Sequence, residues 1–546
     1  MNLKEASGVN VSFVYFVRLV IMDLGELPRR NARRYPESPC LTEGDRRYTF
    51  KGFNERVNRL ANGLSRLGVE KRDRVAVLLS NCSEYVEIYF ALAKIGAIIV
   101  PLNTRLNPKE YIPYFDITSP RVLITGELFR DAVGEIRPSL GTVRHFVAVG
   151  GSPIKEVIPF EQLLFDSPAS EPLVGATEND IAAIYFTSGT TGFPKGAMWT
   201  HRNILEQMVN LQINLPFSKD DRGLIVLPMF HGPVTIPILH QLFYIGGSVV
   251  ISPHGHFDPE SFLDTIKKEK ITCTFIVPTM LVQLVNYPGI ERYRETIRQL
   301  RQIKYAASPA SADVLKRAIE LFGPILTQGY GLTETVGGVS FLSKEDHAES
   351  EGRDRKLKSC GKEYVNVHIK IVDENGTEVP PGTVGEILVK SDKNFVGYWE
   401  MPEESNQVLK GGWLHTADLG MFDEERYLYL VDRKRDMIIS GGENIYPVEI
   451  EEVINRHVKV KESAVVGVPD PVWGESVKAF VILKDGERAS ADEIIDFCRQ
   501  NLASYKKPKF VQFVDELPRN SMGKILKHLL REGHSQKGGE GAISRS

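Results

Sequence analysis

The stretch from Tyr185 to Gly196 constrains this chain more than any other. An apolar run, Ile181 to Phe186, reads as a buried strand and empties into Thr187-Ser188-Gly189-Thr190-Thr191-Gly192, followed by Phe193-Pro194-Lys195-Gly196. Glycines let a backbone come close to an anion and turn through positive φ. Successive N–H groups form an anion nest, the hydroxyls add donors, and Lys195 adds a full positive charge. Such a loop suits a polyphosphate. It is not a Walker A loop, because Gly196 stands after Lys195 where that motif needs serine or threonine. Taken alone, an ordinary glycine-rich turn remains the other reading.

The rest of the chain sets the frame. At 546 residues it exceeds one comfortable core and should divide into domains. With 42% hydrophobic and 25% charged residues it has the composition of a water-soluble globular protein. A net charge of −3 gives no general pull toward nucleic acid or acidic membranes. Five scattered cysteines without Cys-x-x-Cys spacing argue against a disulfide framework or zinc site and fit a reducing cytoplasm. Val9 to Met22 is strongly apolar but short for a membrane span and broken by Arg18. We read residues 1–21 as an extension outside the domains, with peripheral membrane association as the alternative.

A strand–helix rhythm follows. Helices are expected over Glu55–Gly68, Ser83–Ile95 and Asp313–Phe322, and strands over Arg74–Leu79, Ala97–Val100, Val122–Ile124, Phe146–Val149, Leu224–Leu227, Ser248–Ile251, Thr274–Val277 and Lys304–Ala307. This predicts an α/β large domain of layered sheets flanked by helices, over residues 22–432. Beyond about Gly376 the strands shorten. After the charge cluster Asp432–Asp436 comes a small α+β pattern over 437–532, with a helix opened by Pro447 and a capping-box pair, Ser490 and Glu493, ahead of a helix to Leu502. Residues 433–436 read as a hinge and 533–546 as a disordered tail.

Tyr-x-Thr-Ser-Gly-Thr-Thr-Gly-x-Pro-Lys-Gly resembles the signature of the acyl-activating, AMP-forming superfamily, which includes acid–CoA ligases. Four further segments resemble its motifs in the same order. Gln328-Gly329-Tyr330-Gly331-Leu332-Thr333-Glu334-Thr335 reads alone as a tight turn with a surface glutamate. The resemblance implies Gln328, Gly329, Tyr330, Gly331 and Thr333 at the nucleotide and Glu334, with Thr190, at Mg²⁺, a hard cation suited to oxygen ligands. Ser308 matches loosely a strand end beside the adenine. Trp413 to Gly420 resembles the family's Thr-Gly-Asp motif with Ala417 in place of glycine, which implies Asp418, and beyond it Arg433, at the ribose. Arg435 falls at the family hinge, usually aspartate or lysine, and Ser440-Gly441-Gly442 resembles the loop lining the CoA channel. Lys524, in Pro518 to Lys527, matches the lysine that stabilises the adenylation transition state.

The resemblance covers Met22 to Leu530 and implies an acid–CoA ligase using ATP, Mg²⁺ and coenzyme A, with a mobile small domain. Leu227 to Gly232 resembles the CoA-ligase version of the acid pocket and implies His231 beside the acyl group. The apolar Val234 to Leu242 suggests a hydrophobic fatty or aromatic acid. Transfer to a carrier protein or another acceptor is the alternative. A cytoplasmic enzyme of small-molecule partners is expected, with a homodimer left open.

Overall fold

The structure, a computed structural model, describes residues 23–151, 156–173, 175–187, 194–252, 257–307, 310, 312–348, 353–433, 436–440, 443–471, 473–519 and 525–536. Its chain forms two compact units. One comprises the described residues up to Arg353 with Glu363–His368 and Lys390–Leu414; the other comprises Asp354–Lys362, Ile369–Val389 and the described residues from His415 onward. This division by contacts falls upstream of 433–436, the segment read as a hinge.

Two sheets build the first unit. In one, the neighbours run Ile158–Pro159, His145–Val149, Val122–Gly126, Arg74–Leu78, Ile98–Pro101, Ile181–Thr187 and Lys195–Thr200. All pair in parallel except the last two, which form an antiparallel hairpin. In the other sheet, Gly337–Leu342, Leu326–Leu332, Gln302–Ala306, Cys273–Ile276, Arg222–Ile225, Ser248–Ile251, Pro39–Glu43 and Arg46–Thr49 are successive neighbours. Parallel strands need covering on both faces, and the helices supply that cover. Phe50–Arg66 begins five residues before the expected start, because Thr49 caps it by accepting from the Gly52 N–H at 3.2 Å. Its first turn buries Phe50 and Phe53, whose rings meet Phe243 at 5.7 and 5.5 Å. Ser83–Ile95 is buried along its whole length and ends on Gly96 at φ 68°.

A third helical segment matters more for the site. Gly232–Thr235 is followed by a π-helical turn, Ile236–His240, and then by Gln241–Ile245. His240 is fully buried, 4.5 Å from the Tyr89 ring, and neither of its ring nitrogens has a hydrogen-bond partner. Burial pushes its pKa down to about 3. An imidazole held neutral in the fold but free to protonate when unfolded costs stability as pH falls below its ordinary value near 6.5. The loss should reach about 2 kcal/mol at pH 5. His240→Phe keeps a ring in place and should therefore shrink the fall in urea midpoint between pH 7 and pH 5. Parallel pH dependences in the two proteins would show that His240 does not titrate on unfolding.

A further sheet orders His368–Val372, Gly385–Lys390, Trp413–Phe422 and Leu428–Arg433, most of whose residues belong to the second unit. The other sheet orders Glu443–Ile445, Ile438–Ser440, Gly474–Leu483 and Val460–Asp470, with Phe510–Phe513 added in parallel to Gly474–Leu483. Helices Pro447–Asn455 and Ala491–Asn501 bury Ile450, Ile454, Ile494 and Cys498 in one core with Val465, Ala479 and Val481. Half of the expected capping box forms. Ser490 accepts from the Glu493 N–H at 3.1 Å, while the Glu493 carboxylate turns to Lys459 at 2.7 Å. The last described helix, Lys527–Gln536, runs past Gly533, where the disordered tail was expected to begin. One glycine costs a helix about 1 kcal/mol, too little to end one already under way. Among the described residues no helix is long and apolar enough to cross a membrane.

Candidate active site

The first unit brings three of the motif segments to one place. Strands Ile181–Thr187 and Lys195–Thr200 pair so that Thr187 stands opposite Lys195 and Phe186 opposite Gly196. They form the stem of the loop; Ser188, Gly189, Thr190, Thr191 and Gly192 lie outside the described residues. A Cβ on Gly196 would come within 2.7 Å of the Ile184 side chain, so glycine lets the stem close. Along the free edge of Lys195–Thr200 the chain 396–399 adds itself, with Trp399 N–H donating to Gly196 O at 2.7 Å and Met198 N–H to Gly397 O at 2.9 Å.

The second segment is a hairpin. Leu326–Leu332 extends the parallel sheet, with Gln328 beside Tyr305 and Gly329 beside Ala306, and turns back as Gly337–Leu342. Gly331 passes so close to the returning strand that a Cβ there would sit 2.0 Å from Gly337 O. At Gly329 the nearest atom to a Cβ would be 3.9 Å away. Tyr330 is 8% exposed, so most of its ring is already covered by protein. The turn itself is held from several sides. Thr335 Oγ1 accepts from Leu332 N–H at 2.8 Å, and its hydroxyl faces Gly337 O at 2.7 Å. Trp199 Nε1–H donates to Thr333 O at 2.9 Å, and Phe395 N–H donates to Glu334 O at 2.9 Å. The ammonium of Lys393, wholly buried, donates to Thr335 O. Burial pushes its pKa well below the usual lysine range.

The side chain of Glu334 is half-buried and accepts from the Tyr398 hydroxyl at 2.7 Å through Oε1. A single hard carboxylate fits Mg²⁺, which takes one or two protein carboxylates and fills its shell with phosphates and water. Ala307, just before Ser308, sits at φ 80°, a costly conformation for alanine that tends to mark functional strand ends. Ser308 itself lies outside the described residues.

His231 caps the Gly232–Thr235 helix. A Cβ on Gly232 would strike Trp199 at 2.5 Å and Tyr185 at 2.6 Å, so the turn at His231 is pressed onto the two strands that carry the loop stem. Burial, with a smaller push from the Arg105 charge, lowers the imidazole to about 3. His231 is thus neutral through the physiological range and presents a dipole, not a charge. Trp199, fully buried, ties stem, hairpin and helix together: its ring meets Tyr185 at 4.3 Å while its N–H holds Thr333. Sequence reasoning passed over Trp199, Lys393 and Tyr398. The only signal for them was their placement beside a motif residue or within the apolar-aromatic Phe395 to Trp399.

In the second unit, Asp418 and Arg433 face each other across two antiparallel strands, Arg433 Nε lying 2.6 Å from Asp418 Oδ1. Asp418 N–H donates to Thr416 Oγ1 at 3.0 Å, and that hydroxyl donates to Ile387 O at 2.8 Å. Ala417 between them takes φ 57°, a left-handed value that glycine adopts without steric cost. The family's glycine at this position is thereby explained, and this chain carries the cost. Ser440 ends a strand that pairs with Glu443–Ile445; Gly441, Gly442 and Arg435 lie outside the described residues. So does Lys524, whose loop is closed at its base by an Arg519–Ile525 bridge and by Leu526 N–H donating to Pro518 O at 2.7 Å.

The chain as a whole is similar to known proteins. The model of AMP-binding enzymes matches residues 28–399, and that of the AMP-binding enzyme C-terminal domain matches 449–524. The chain belongs to the AMP-binding enzyme family. A feruloyl-CoA synthase from Amycolatopsis sp. is 37% identical over 93% of this chain and 98% of its own length. A crotonobetaine/carnitine–CoA ligase from Salmonella typhi is 34% identical over 89% of this chain and 93% of its own. ATP-bound MatB from Rhodopseudomonas palustris superposes with a TM-score of 0.84 at 29% identity, covering 94% of this chain and 99% of that one. As an AMP-binding enzyme of this branch, the protein is an AMP-forming acid–CoA ligase that uses ATP, Mg²⁺ and CoA.

Proposed function

We propose that this ligase activates a hydrophobic acid, fatty or aromatic, with the residues of the five motifs in the roles their chemistry suits. The observation that carries the acid class is the neutral His231 pressed onto Trp199 and Tyr185, beside a helical segment whose Ile236, Ile238, Leu239 and Leu242 are buried. Ile238 and Leu242 pack inward against the strand of Gly223, so the segment backs the His231 turn with apolar side chains, a setting that suits a hydrophobic acid. The aromatic acid in the name of the Amycolatopsis relative agrees with it.

In the first half-reaction a carboxylate oxygen attacks the α-phosphorus of ATP, the bond to the β-phosphate breaks, and pyrophosphate leaves with the electron pair. Lys195, Thr187 and the hydroxyl-rich loop would hold the phosphates, and Gln328, Gly329, Tyr330, Gly331 and Thr333 the nucleotide. Asp418, oriented by Arg433, would accept the ribose hydroxyls. Glu334 would hold Mg²⁺, which when bound neutralises charge on the phosphate oxygens. Lys524 would meet the negative charge that develops between carboxylate and phosphate. In the second half-reaction the CoA thiol gives its proton to water, its sulfur attacks the acyl carbonyl, and the acyl C–O bond to phosphate breaks so that AMP leaves with the electron pair. Ser440–Gly442 would line the thiol's approach, with Arg435 in a hinge between 22–432 and 437–532. None of the five cysteines forms a disulfide, which supports a reducing, cytoplasmic setting.

The test is CoA-dependent AMP formation across a panel from acetate through medium and long chains to benzoates and cinnamates, with Lys524→Ala alongside. Thioester from one apolar class, lost in the variant, is the expected result. Preference for short polar acids would sink the assignment of the acid, and pyrophosphate release without thioester would remove CoA as acceptor.

A further inference from the structure

Tyr398 stands between two residues to which different motifs assign the two ends of a triphosphate site. Its hydroxyl donates to Glu334 Oε1 at 2.7 Å, and the ammonium of Lys195 lies 5.4 Å from the centre of its ring. The tyrosine is 6% exposed. Its backbone is fixed by a bridge to Ala197 on the strand that begins with Lys195, and by its own N–H, which donates to Ser405 Oγ at 2.8 Å. Phe395 sets the ring's tilt, meeting it edge-on at 4.9 Å, while its N–H holds the Glu334 carbonyl. A buried phenol needs an acceptor. Here the acceptor is a carboxylate, and the same ring's face carries a cation.

We propose that Tyr398 is a positioning residue for MgATP: its hydroxyl holds one oxygen of Glu334 so that the other is presented to the metal, and its ring holds the Lys195 ammonium at the phosphate loop. The inference rests on the reading that Glu334 serves Mg²⁺ and Lys195 the phosphates. It differs from a purely structural role in predicting two separable losses. Removing the hydroxyl alone should weaken the metal-dependent part of nucleotide binding. Removing the ring should also weaken the metal-independent part.

The readout is calorimetric binding of α,β-methylene-ATP, which cannot transfer its adenylyl group, with MgCl₂ and with EDTA. In Tyr398→Phe the gain in affinity from Mg²⁺ should fall roughly 10-fold, the scale of lost support behind a metal ligand, while binding in EDTA stays as in the parent. In Tyr398→Leu binding in EDTA should fall as well. Tyr398→His keeps a ring donor and should retain part of the Mg²⁺ gain; it also serves if the phenylalanine variant does not fold. Glu334→Gln separates the proposal from the reading beneath it. If Glu334→Gln abolishes the Mg²⁺ gain and Tyr398→Phe keeps it, the positioning role is overturned while the reading stands. If Glu334→Gln keeps the gain, the reading falls and the proposal with it. Equal losses with and without Mg²⁺ in Tyr398→Phe would also overturn it, leaving a residue that only supports the fold.

Discussion

Glu334→Gln should lower pyrophosphate release by about 100-fold or more, the scale seen when one preorganised electrostatic group is removed from a reacting centre. The substitution is chosen because it changes charge and little else. Glutamine has the same length, and its carbonyl oxygen can still accept from the Tyr398 hydroxyl that meets Glu334 Oε1. The backbone on either side is held independently, through Phe395 to Glu334 O and through Lys393 to Thr335 O. The hairpin should therefore keep its shape and the protein its melting temperature. What is lost is the anionic oxygen that a hard cation prefers. Thioester formation from a synthetic acyl-adenylate needs no charge on departing pyrophosphate and should fall far less. Equal losses in the two half-reactions would assign Glu334 to folding and not to the metal.

Gly331→Ala should be the most damaging small substitution in the hairpin. Its Cβ would lie 2.0 Å from Gly337 O and 2.6 Å from Gly337 C, and both are backbone atoms that cannot rotate away. The strands must part, at a cost of about 3 kcal/mol, the upper part of the usual range for overpacking. Parting them also displaces Thr335, whose hydroxyl bridges Leu332 and Gly337. We expect a melting temperature lower by several degrees and loss of measurable ATP-analogue binding. Gly329→Ala, two residues upstream on the same strand, meets nothing nearer than 3.9 Å and should melt like the parent. If the two variants melt alike, the close approach at Gly331 is not what the fold depends on.

Much of this was legible in the residues. The order of five motifs, the α/β rhythm and the candidate positions Lys195, Glu334, Asp418 and Arg433 need only local patterns to be seen. The partners of those residues do not announce themselves, since they come from far along the chain. Tyr398 is 64 residues from Glu334, Trp199 is 134 from Thr333, and Lys393 is 58 from Thr335. No periodicity encodes such pairings; they arise because the chain 396–399 lies along the edge of Lys195–Thr200. Local misses have local causes. Apolar spacing alone puts the start of Phe50–Arg66 late, because the Thr49 cap leaves no mark in that spacing. The cost at Ala417 could be noticed only as a departure from glycine, since φ is not written in the residue itself.

The π turn at Ile236–His240 holds one residue more than an α turn of the same pitch would. Delete Pro237, the one residue of the five without a backbone N–H to give, and an ordinary α ladder could run straight through. The helix ahead of the deletion would then rotate by roughly 100° against Gln241–Ile245, and the His231–Gly232 turn would swing off Trp199. The strands of the phosphate loop stem would keep their pairing but lose the packing of Gly232 on Trp199 and Tyr185. A single-residue insertion therefore acts as a phase adjuster: it sets the angle at which the His231 turn meets the stem of the phosphate loop. A length change at this one turn is thus felt at the loop stem as well as at the His231 turn.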